Sequence, residues 1–407
     1  MRSRGLFITL LIAIGALSTA KGQSLSKPFP QHTRYFKGCI KPNHVSQAGL
    51  DKAVGAFYNQ WKKRYIKTIP GKAESYIWFE GKGGKQCVSE GQGYGMVITA
   101  LMAGHDPSAQ KTFDNLLRYC RAHPAASTKY LMAWAQKTNG KDLDRSTATD
   151  GDVDIAFSLL LAAKQWGNAG DINYLHEAKA RINAIMQHQV NLKTFTIWIS
   201  DAIEPGSKYY YATRSSDFMP SHLKAFKQVT GDVRWQKVIA AQYKLFAVLQ
   251  NQHSPDAGLV PDFMININNK PKPAGPDFLE SKNDGDYNYN ACRVPWRIAV
   301  DYLMYGDARA KKFVTPINSW IRRTTNNDTY NLSAGYSLGG NDLKGRYFEA
   351  LSFIGPFGVS AMAEGKDQVW LNHIWDYLTA FKLQDYDYYD NTIKLLNMLI
   401  MSGNYWQ

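Results

Sequence analysis

The sequence predicts an all-α fold, and three observations carry that prediction. Apolar residues recur at helical spacing in about a dozen successive segments, near 46–64, 90–104, 108–123, 150–166, 170–190, 216–230, 232–251, 290–305, 307–323, 352–363, 366–381 and 387–402. Short punctuation separates them: Gly-His-Asp-Pro at 104–107, Trp-Gly-Asn-Ala-Gly at 166–170, Thr-Gly-Asp at 230–232 and Tyr-Gly-Asp at 305–307. No low-complexity linker or Pro-rich hinge divides the 407 residues, and a 44% hydrophobic composition is enough for one sizeable core.

The chain opens with Arg2 and Arg4, an apolar run from Leu6 to Leu17, and small residues through Ala20 and Gly22, the three-part plan of a secretory signal peptide. Residues 1–22 are therefore expected to be a leader and 23–407 a single domain. The apolar run is too short for a hydrocarbon core that needs about 20 residues, and no later stretch is long and apolar enough. The expectation is a secreted protein, extracellular or periplasmic, monomeric, with no membrane contact after cleavage. Cys39, Cys87, Cys120 and Cys292 are too few for a disulfide scaffold, though export would permit one or two bridges, and their spacing matches no zinc motif. The formal charge is +14, or +11 once Arg2, Arg4 and Lys21 are set aside with the leader. These cations are spread along the chain rather than gathered in a tract, which favours a generally basic surface over nucleic-acid binding.

Six hairpins closing on themselves would make a toroid, its inner helices buried all round and its outer ones amphipathic. The run Asp152-Val-Asp-Ile-Ala-Phe-Ser-Leu-Leu-Leu-Ala-Ala fits an inner helix. By contrast, 193–213 alternates polar with β-branched and aromatic residues and predicts a small β-hairpin, placed at the barrel mouth. Eleven Trp, 24 Tyr and 18 Phe make the chain aromatic enough to offer rings on which flat apolar sugar faces stack.

Three clusters carry candidate chemistry. Ser89-Glu90-Gly-Gln-Gly-Tyr94-Gly-Met96 sets a carboxylate at a helix start, with Ser89 as a candidate N-cap. Its glycines weaken a helix by about 1 kcal/mol each, a cost that makes sense where something approaches the backbone closely. Thr147-Ala-Thr-Asp150-Gly-Asp152-Val-Asp154 packs three acids at alternate positions; a calcium loop is disfavoured because Ile155 stands where that loop needs Gly. If the segment turns helical at Gly151, Asp150 and Asp154 share one face, with Asp150 at the mouth. The third runs from Pro276 through Glu280, Asp284, Asp286, Asn290 and Arg293 to Arg297, an acid-rich loop entering an Arg-bearing helix start. Gly335-Tyr-Ser337-Leu-Gly339 matches the letters of a nucleophile elbow but lacks the strand and helix that it needs.

Together, Ser-Glu-Gly-Gln-Gly-Tyr-Gly-Met at 89–96, Ala-Thr-Asp-Gly-Asp-Val-Asp-Ile-Ala at 148–156 and Cys-Arg-Val-Pro-Trp-Arg-Ile-Ala at 292–299 resemble glycoside hydrolase family 8, in order and spacing, across most of residues 23–407. The resemblance implies an (α/α)6 barrel, an open cleft at one mouth, and hydrolysis with inversion by two carboxyl groups. By motif, Glu90 maps to the general acid, and Asp150 to the acid that holds the central sugar. A helix N-terminus lowers a carboxyl pKa, so burial and the charge of Asp150 must raise that of Glu90. Where many members carry an aspartate base this chain has Asn290, and an amide cannot take a proton from water. A branch that includes Bacillus-type chitosanases and lichenases is similar here and uses a Glu in the preceding loop, which maps to Glu280, with Asp277, Asp284 and Asp286 as rivals. Tyr94, Trp198, Tyr211, Arg214, Asn290, Arg293 and Trp296 are the candidate sugar-binding residues.

The branch resemblance puts chitosan first among expected polymers and β-1,4 or mixed-linkage β-glucan second, with xylan behind. Chitosan is a polycation, which a basic protein repels unless its cleft is acidic. Asp150, Asp152, Asp154, Glu280, Asp284 and Asp286, with Asp201, Glu204 and Asp217 beside them, allow such a cleft. The reading from another class is a sugar-binding barrel without turnover. The two-carboxyl chemistry calls for no metal or cofactor.

Overall fold

The computed structural model describes residues 25–343, 350–383 and 388–407; the expected leader lies outside them. Twelve α-helices appear in the described residues, one for each periodic segment: α1 Gln47–Tyr65, α2 Ser89–Leu101, α3 Ala109–Ala122, α4 Thr149–Trp166, α5 Tyr174–His188, α6 Pro220–Thr230, α7 Arg234–His253, α8 Val294–Tyr305, α9 Ala308–Thr325, α10 Leu351–Ala361, α11 Gln368–Ala380 and α12 Tyr388–Met401. None is long and apolar enough to cross a membrane.

The even-numbered helices form the inner ring. Helices α2, α4, α8, α10 and α12 are buried along almost their whole length, whereas α1, α3, α5, α7, α9 and α11 bury one stripe each. Each inner helix packs on the next, and α12 returns to α2, so the ring closes into an (α/α)6 barrel. Five outer helices pack against the inner helix just before them, and α1 completes the set by packing on α12. The Gly-Asp turns read from the sequence make the tightest of these links. Gly306, in the left-handed conformation at φ 66°, ends α8, and Asp307 then accepts from the Arg309 amide at 3.0 Å to start α9.

Connections at the two ends differ in length, and that difference locates the site. Inner-to-outer links are short, for instance 231–233 and 306–307, while the outer-to-inner links 66–88, 123–148, 189–219 and 254–293 are long. All the strands lie in these long links, gathered at the mouth where inner helices begin: β1 Ile66–Thr68 with β2 Ser75–Ile77, β3 Lys85–Val88 with β4 Ala135–Lys137, β5 Val190–Asn191 with β6 Thr196–Ile197, and β7 Ala212–Arg214, β8 Phe263–Ile265 and β9 Lys272–Pro273 in one antiparallel sheet. The predicted hairpin over 193–213 is divided: Val190 pairs Ile197, but Ala212 pairs Ile265 instead of turning back on the first strand. Alternation predicts a strand without naming its partner, and the partner here lies some 50 residues downstream. At the far end, the segment 26–40 closes the barrel floor, with Phe29, Phe36 and Ile40 amides donating to carbonyls at the C-terminal ends of α2, α8 and α10. All four cysteines are free thiols.

Candidate active site

The first residues of α2, α4 and α12 and the approach to α8 meet around a cavity of about 370 Å3. Glu90, Asp150, Arg214, Glu280, Asn290 and Arg293 line it, and Phe79, Trp134, Tyr289, Tyr388 and Tyr389 wall it. Val88, not Ser89, is the cap residue of α2; the Ser89 amide donates to the Trp134 carbonyl at 2.8 Å and its hydroxyl has no partner. Two glycines set the spacing. A Cβ on Gly151 would stand 2.7 Å from the Glu90 amide, so α4 can approach α2 this closely only without a side chain there. A Cβ on Gly91 would stand 2.9 Å from the Tyr388 ring, which must reach Glu90.

Glu90 is held at both oxygens. Arg293 Nη1 donates to Oε2 at 2.5 Å, and the Tyr388 hydroxyl donates to Oε1 at 2.6 Å. Burial pushes the Glu90 carboxyl above its ordinary range; Arg293 pulls it down, Asp150 pushes it up, and the Tyr388 hydrogen bond pulls it down. Asp150, 1% exposed, is the opposite case. Burial would raise it, but Arg214, Arg293 and Arg297 outweigh burial and hold it below the usual carboxylate range. Arg214 Nη2 lies 2.8 Å from its Oδ1 and Arg293 Nη1 2.9 Å from its Oδ2. Asp154 sits one turn deeper on the same face of α4, where Arg297 Nη2 donates to it at 3.2 Å. Asp152 faces away and ties down the mouth links, accepting from the Met132 amide and from Gln189 Nε2.

Glu280 approaches from the opposite side on the loop before α8. Its side chain is 45% exposed, against 18% for Glu90. Asn290 Nδ2 donates to its Oε2 at 2.8 Å, while Asn290 Oδ1 accepts from Arg293 Nη2 at 2.8 Å. The three rivals behave differently. Asp284 is fully buried and accepts from the amides of Leu279, Glu280 and Ser281 at 2.6–2.9 Å, so it anchors the loop. Asp277 is exposed with φ 55°, and neither it nor Asp286 lines the cavity.

Four of the predicted sugar-binding residues stand outside the cavity lining. Tyr94 is buried beneath it, its hydroxyl accepting from Arg293 at 3.1 Å and Arg297 at 3.0 Å. Trp296 packs beside Tyr94 with ring centroids 6.1 Å apart. Trp198 Nε1 donates to the Tyr210 carbonyl at 3.0 Å, and Tyr211 packs edge-on to Tyr210. Tyr94 and Trp296 lie on buried inner helices, where a side chain faces its neighbours more often than the cleft, whereas Trp198 and Tyr211 lie half-buried in the 189–219 link at the mouth. Sequence reading missed Phe79, Trp134, Tyr289, Tyr388 and Tyr389. It also missed Asp262, which accepts from the Asn288 and Ala291 amides and stands 3.4 Å from Asn290 Nδ2. For the two tyrosines of α12 a signal existed: every inner helix starts at the mouth, and the sixth starts with Tyr388-Tyr389. Ser337 lies in a loop turn, its amide donating to the Asn341 carbonyl, and forms no nucleophile elbow.

A closed helical ring with paired carboxyl groups and aromatic walls at one mouth is the architecture of a barrel-type glycoside hydrolase. The chain belongs to glycosyl hydrolases family 8, whose model matches residues 37–403. It is 46% identical to a beta-glucanase of Niallia circulans over 94% of this chain and 91% of that one. It is 41% identical to an endoglucanase of Bacillus sp. KSM-330 over 94% and 82%. Among solved structures, the apo beta-1,3-1,4-glucanase of Paenibacillus sp. X4 aligns with TM-score 0.90 and 46% identity, over 94% of this chain and all of that one. An exo-oligoxylanase of Paenibacillus barcinonensis aligns at TM-score 0.75 and 17% identity, a likeness of fold.

Proposed function

We propose that this glycoside hydrolase cuts internal bonds of a β-glucan, β-1,4-linked or mixed β-1,3-1,4-linked, with inversion, using Glu90 as general acid and Glu280 as general base. The observation that carries the reading is the contrast between the two carboxyl groups. Glu90 is largely enclosed with its pKa raised, as a proton donor needs, while Glu280 is open to water and oriented by Asn290.

In this mechanism Arg293, a donor only, excludes the acidic proton from Oε2 of Glu90, so the proton sits on Oε1. From Oε1 the proton passes to the glycosidic oxygen as the bond to the anomeric carbon breaks, and the Tyr388 hydroxyl donates to the carboxylate that is left. Water attacks that carbon from the opposite face and gives its own proton to Glu280, which leaves a new reducing end of inverted configuration. Asp150 stays ionised between Arg214 and Arg293 and is suited to holding sugar hydroxyls, not to donating a proton.

The names of the relatives favour glucan over chitosan, and the cleft agrees. Arg214, Arg293 and Lys82 stand among Glu90, Asp150 and Glu280, leaving no excess of negative charge to draw a polycation. Export remains part of the proposal and rests on the leader-like residues 1–22. The test is reducing-sugar release from mixed-linkage glucan, carboxymethylcellulose and chitosan side by side, with Glu90→Gln as the blank. Release from the glucans well above chitosan supports the reading; release from chitosan alone overturns the substrate, and binding without release from any overturns the activity.

A further inference from the structure

Asp262 is buried, 2% exposed, just before β8, whose first residue Phe263 pairs with Arg214 of β7. Its carboxyl group faces the turn that leads into α8. Oδ1 accepts from the amides of Asn288 at 3.0 Å and Ala291 at 2.6 Å, while Oδ2 takes a longer contact, 3.4 Å, from Asn290 Nδ2. The main chain is fixed here as well. The Asp262 amide donates to the Asp286 carbonyl at 2.8 Å, the Phe263 amide to the Asp284 carbonyl at 2.9 Å, and the Ser215 amide to the Asp262 carbonyl at 2.9 Å. One strand end thus holds Arg214, the acid-rich loop and the 288–291 turn in a single frame.

Glu280 meets every part of that frame. Its Oε1 lies 3.7 Å from Arg214 Nη1, its Oε2 accepts from Asn290 Nδ2 at 2.8 Å, and its own amide donates to Asp284 at 2.9 Å. An amide nitrogen carries two hydrogens, so Asn290 Nδ2 can serve Glu280 and Asp262 together while its Oδ1 accepts from Arg293. Turned over, the same amide would aim its oxygen at both carboxyl groups and its nitrogen at a guanidinium. The backbone amides of Asn288 and Ala291 need only one acceptor oxygen, and an uncharged side chain could supply it. The second oxygen of Asp262 has the Asn290 side chain as its partner. Burial pushes the Asp262 carboxyl up to about 7, yet protonated or not its Oδ2 keeps a lone pair for Nδ2.

We propose that Asp262 is a positioning residue for the base: through Oδ2 it fixes which way the Asn290 amide faces, and through that amide it sets the direction of Glu280. The inference deepens the two-carboxyl mechanism and rests on the assignment of Glu280. It concerns orientation alone, since Asp262 lies behind Asn290 and does not line the cavity. A base on a loop, open to water, needs such support because its own side chain is not packed in place.

The test is a cycle of Asp262→Asn, Asn290→Ala and the double variant, each melted and assayed for kcat and KM on mixed-linkage glucan. Asp262→Asn keeps an oxygen for the two backbone amides and sets an NH2 group against Asn290 Nδ2, donor to donor. It should fold, lower kcat about tenfold and leave KM near wild type, because the base is misdirected while the sugar-binding walls stay in place. In the Asn290→Ala background the same substitution should change kcat by less than about twofold. A tenfold loss that persists there would overturn the proposal, since it reports a charge acting on Glu280 directly or a displaced turn. Wild-type kcat in Asp262→Asn, a rise in KM alone, or a variant that does not fold would overturn it too. An active Glu280→Gln protein would remove the base assignment itself, and is told apart because that variant carries no change at 262 or 290.

Discussion

Asn290 bridges the two carboxyl groups proposed as acid and base: its Nδ2 donates to Glu280 Oε2 at 2.8 Å and its Oδ1 accepts from Arg293 Nη2 at 2.8 Å, while Arg293 in turn holds Glu90. An amide can serve both neighbours at once because one end donates and the other accepts. In the proposed assignment Asn290 thus supports both carboxyl groups instead of taking a proton itself. Asn290→Ala should lower kcat by about 10- to 100-fold, since both groups lose their orientation. Wild-type kcat in that variant would show that Glu280 is held by something else.

The hydrogen bond from Tyr388 stabilises ionised Glu90, so removing it should raise the pKa of the acid further. Turnover needs Glu90 protonated, hence activity falls as pH rises through that pKa. In Tyr388→Phe the alkaline limb of the kcat/KM profile should move up by about one pH unit, the worth of one hydrogen bond to a charged group. A limb that stays put or moves down contradicts the assignment.

Asp284 and Glu280 should separate cleanly by substitution. Asp284→Ala orphans three backbone amides, and should cost about 1–3 kcal/mol of stability together with activity. Glu280→Gln should leave the melting temperature near wild type. A stable, inactive Asp284→Asn beside an active Glu280→Gln would make Asp284 the base.

Stability should fall as pH rises from about 4 to 7. Asp152, Asp217 and Asp262 are each pushed up by burial to about 7 from an unfolded value of 3.8, so between those values the folded chain binds more protons than the unfolded one. Their stabilisation is complete below pH 3.8 and lost as pH rises through about 7. His222, buried and shifted down, opposes this, as do the lowered acids, among them Asp150, Asp307 and Glu364, at the acid end of the window. Thermal melts across that window should show Tm declining toward neutrality; a Tm that climbs toward neutrality would show that these carboxyl groups are ionised in the fold.

Periodicity recovered the twelve helices because each buries a stripe or a whole surface, a signal that needs no knowledge of partners. It could not pair β7 with β8, since strand partners are set by the barrel around them. Asp150 and Asp154 were legible as one face of α4 from spacing alone. Tyr94 and Trp296 were not separable from Arg293 on the same grounds: all belong to the motifs, and only the folded ring decides which of them reaches the cavity. Asp262 carries no motif, and its place beside Asn290 comes from a sheet edge 28 residues away in sequence. The free thiols also fit burial better than the bridges that export would have permitted, since Cys87, Cys120 and Cys292 lie in the core.

The central claim is the pairing of a buried acid with an exposed base on the displaced loop, and the most direct measurement is hydrolysis of mixed-linkage β-glucan by Glu280→Gln, with the anomer of the fresh product followed by NMR in the wild type. The account predicts inverted product from wild-type protein and turnover lowered by about 10²–10⁴-fold in a variant that melts like wild type. Product of retained configuration, or a Glu280→Gln protein that hydrolyses at the wild-type rate, would contradict it.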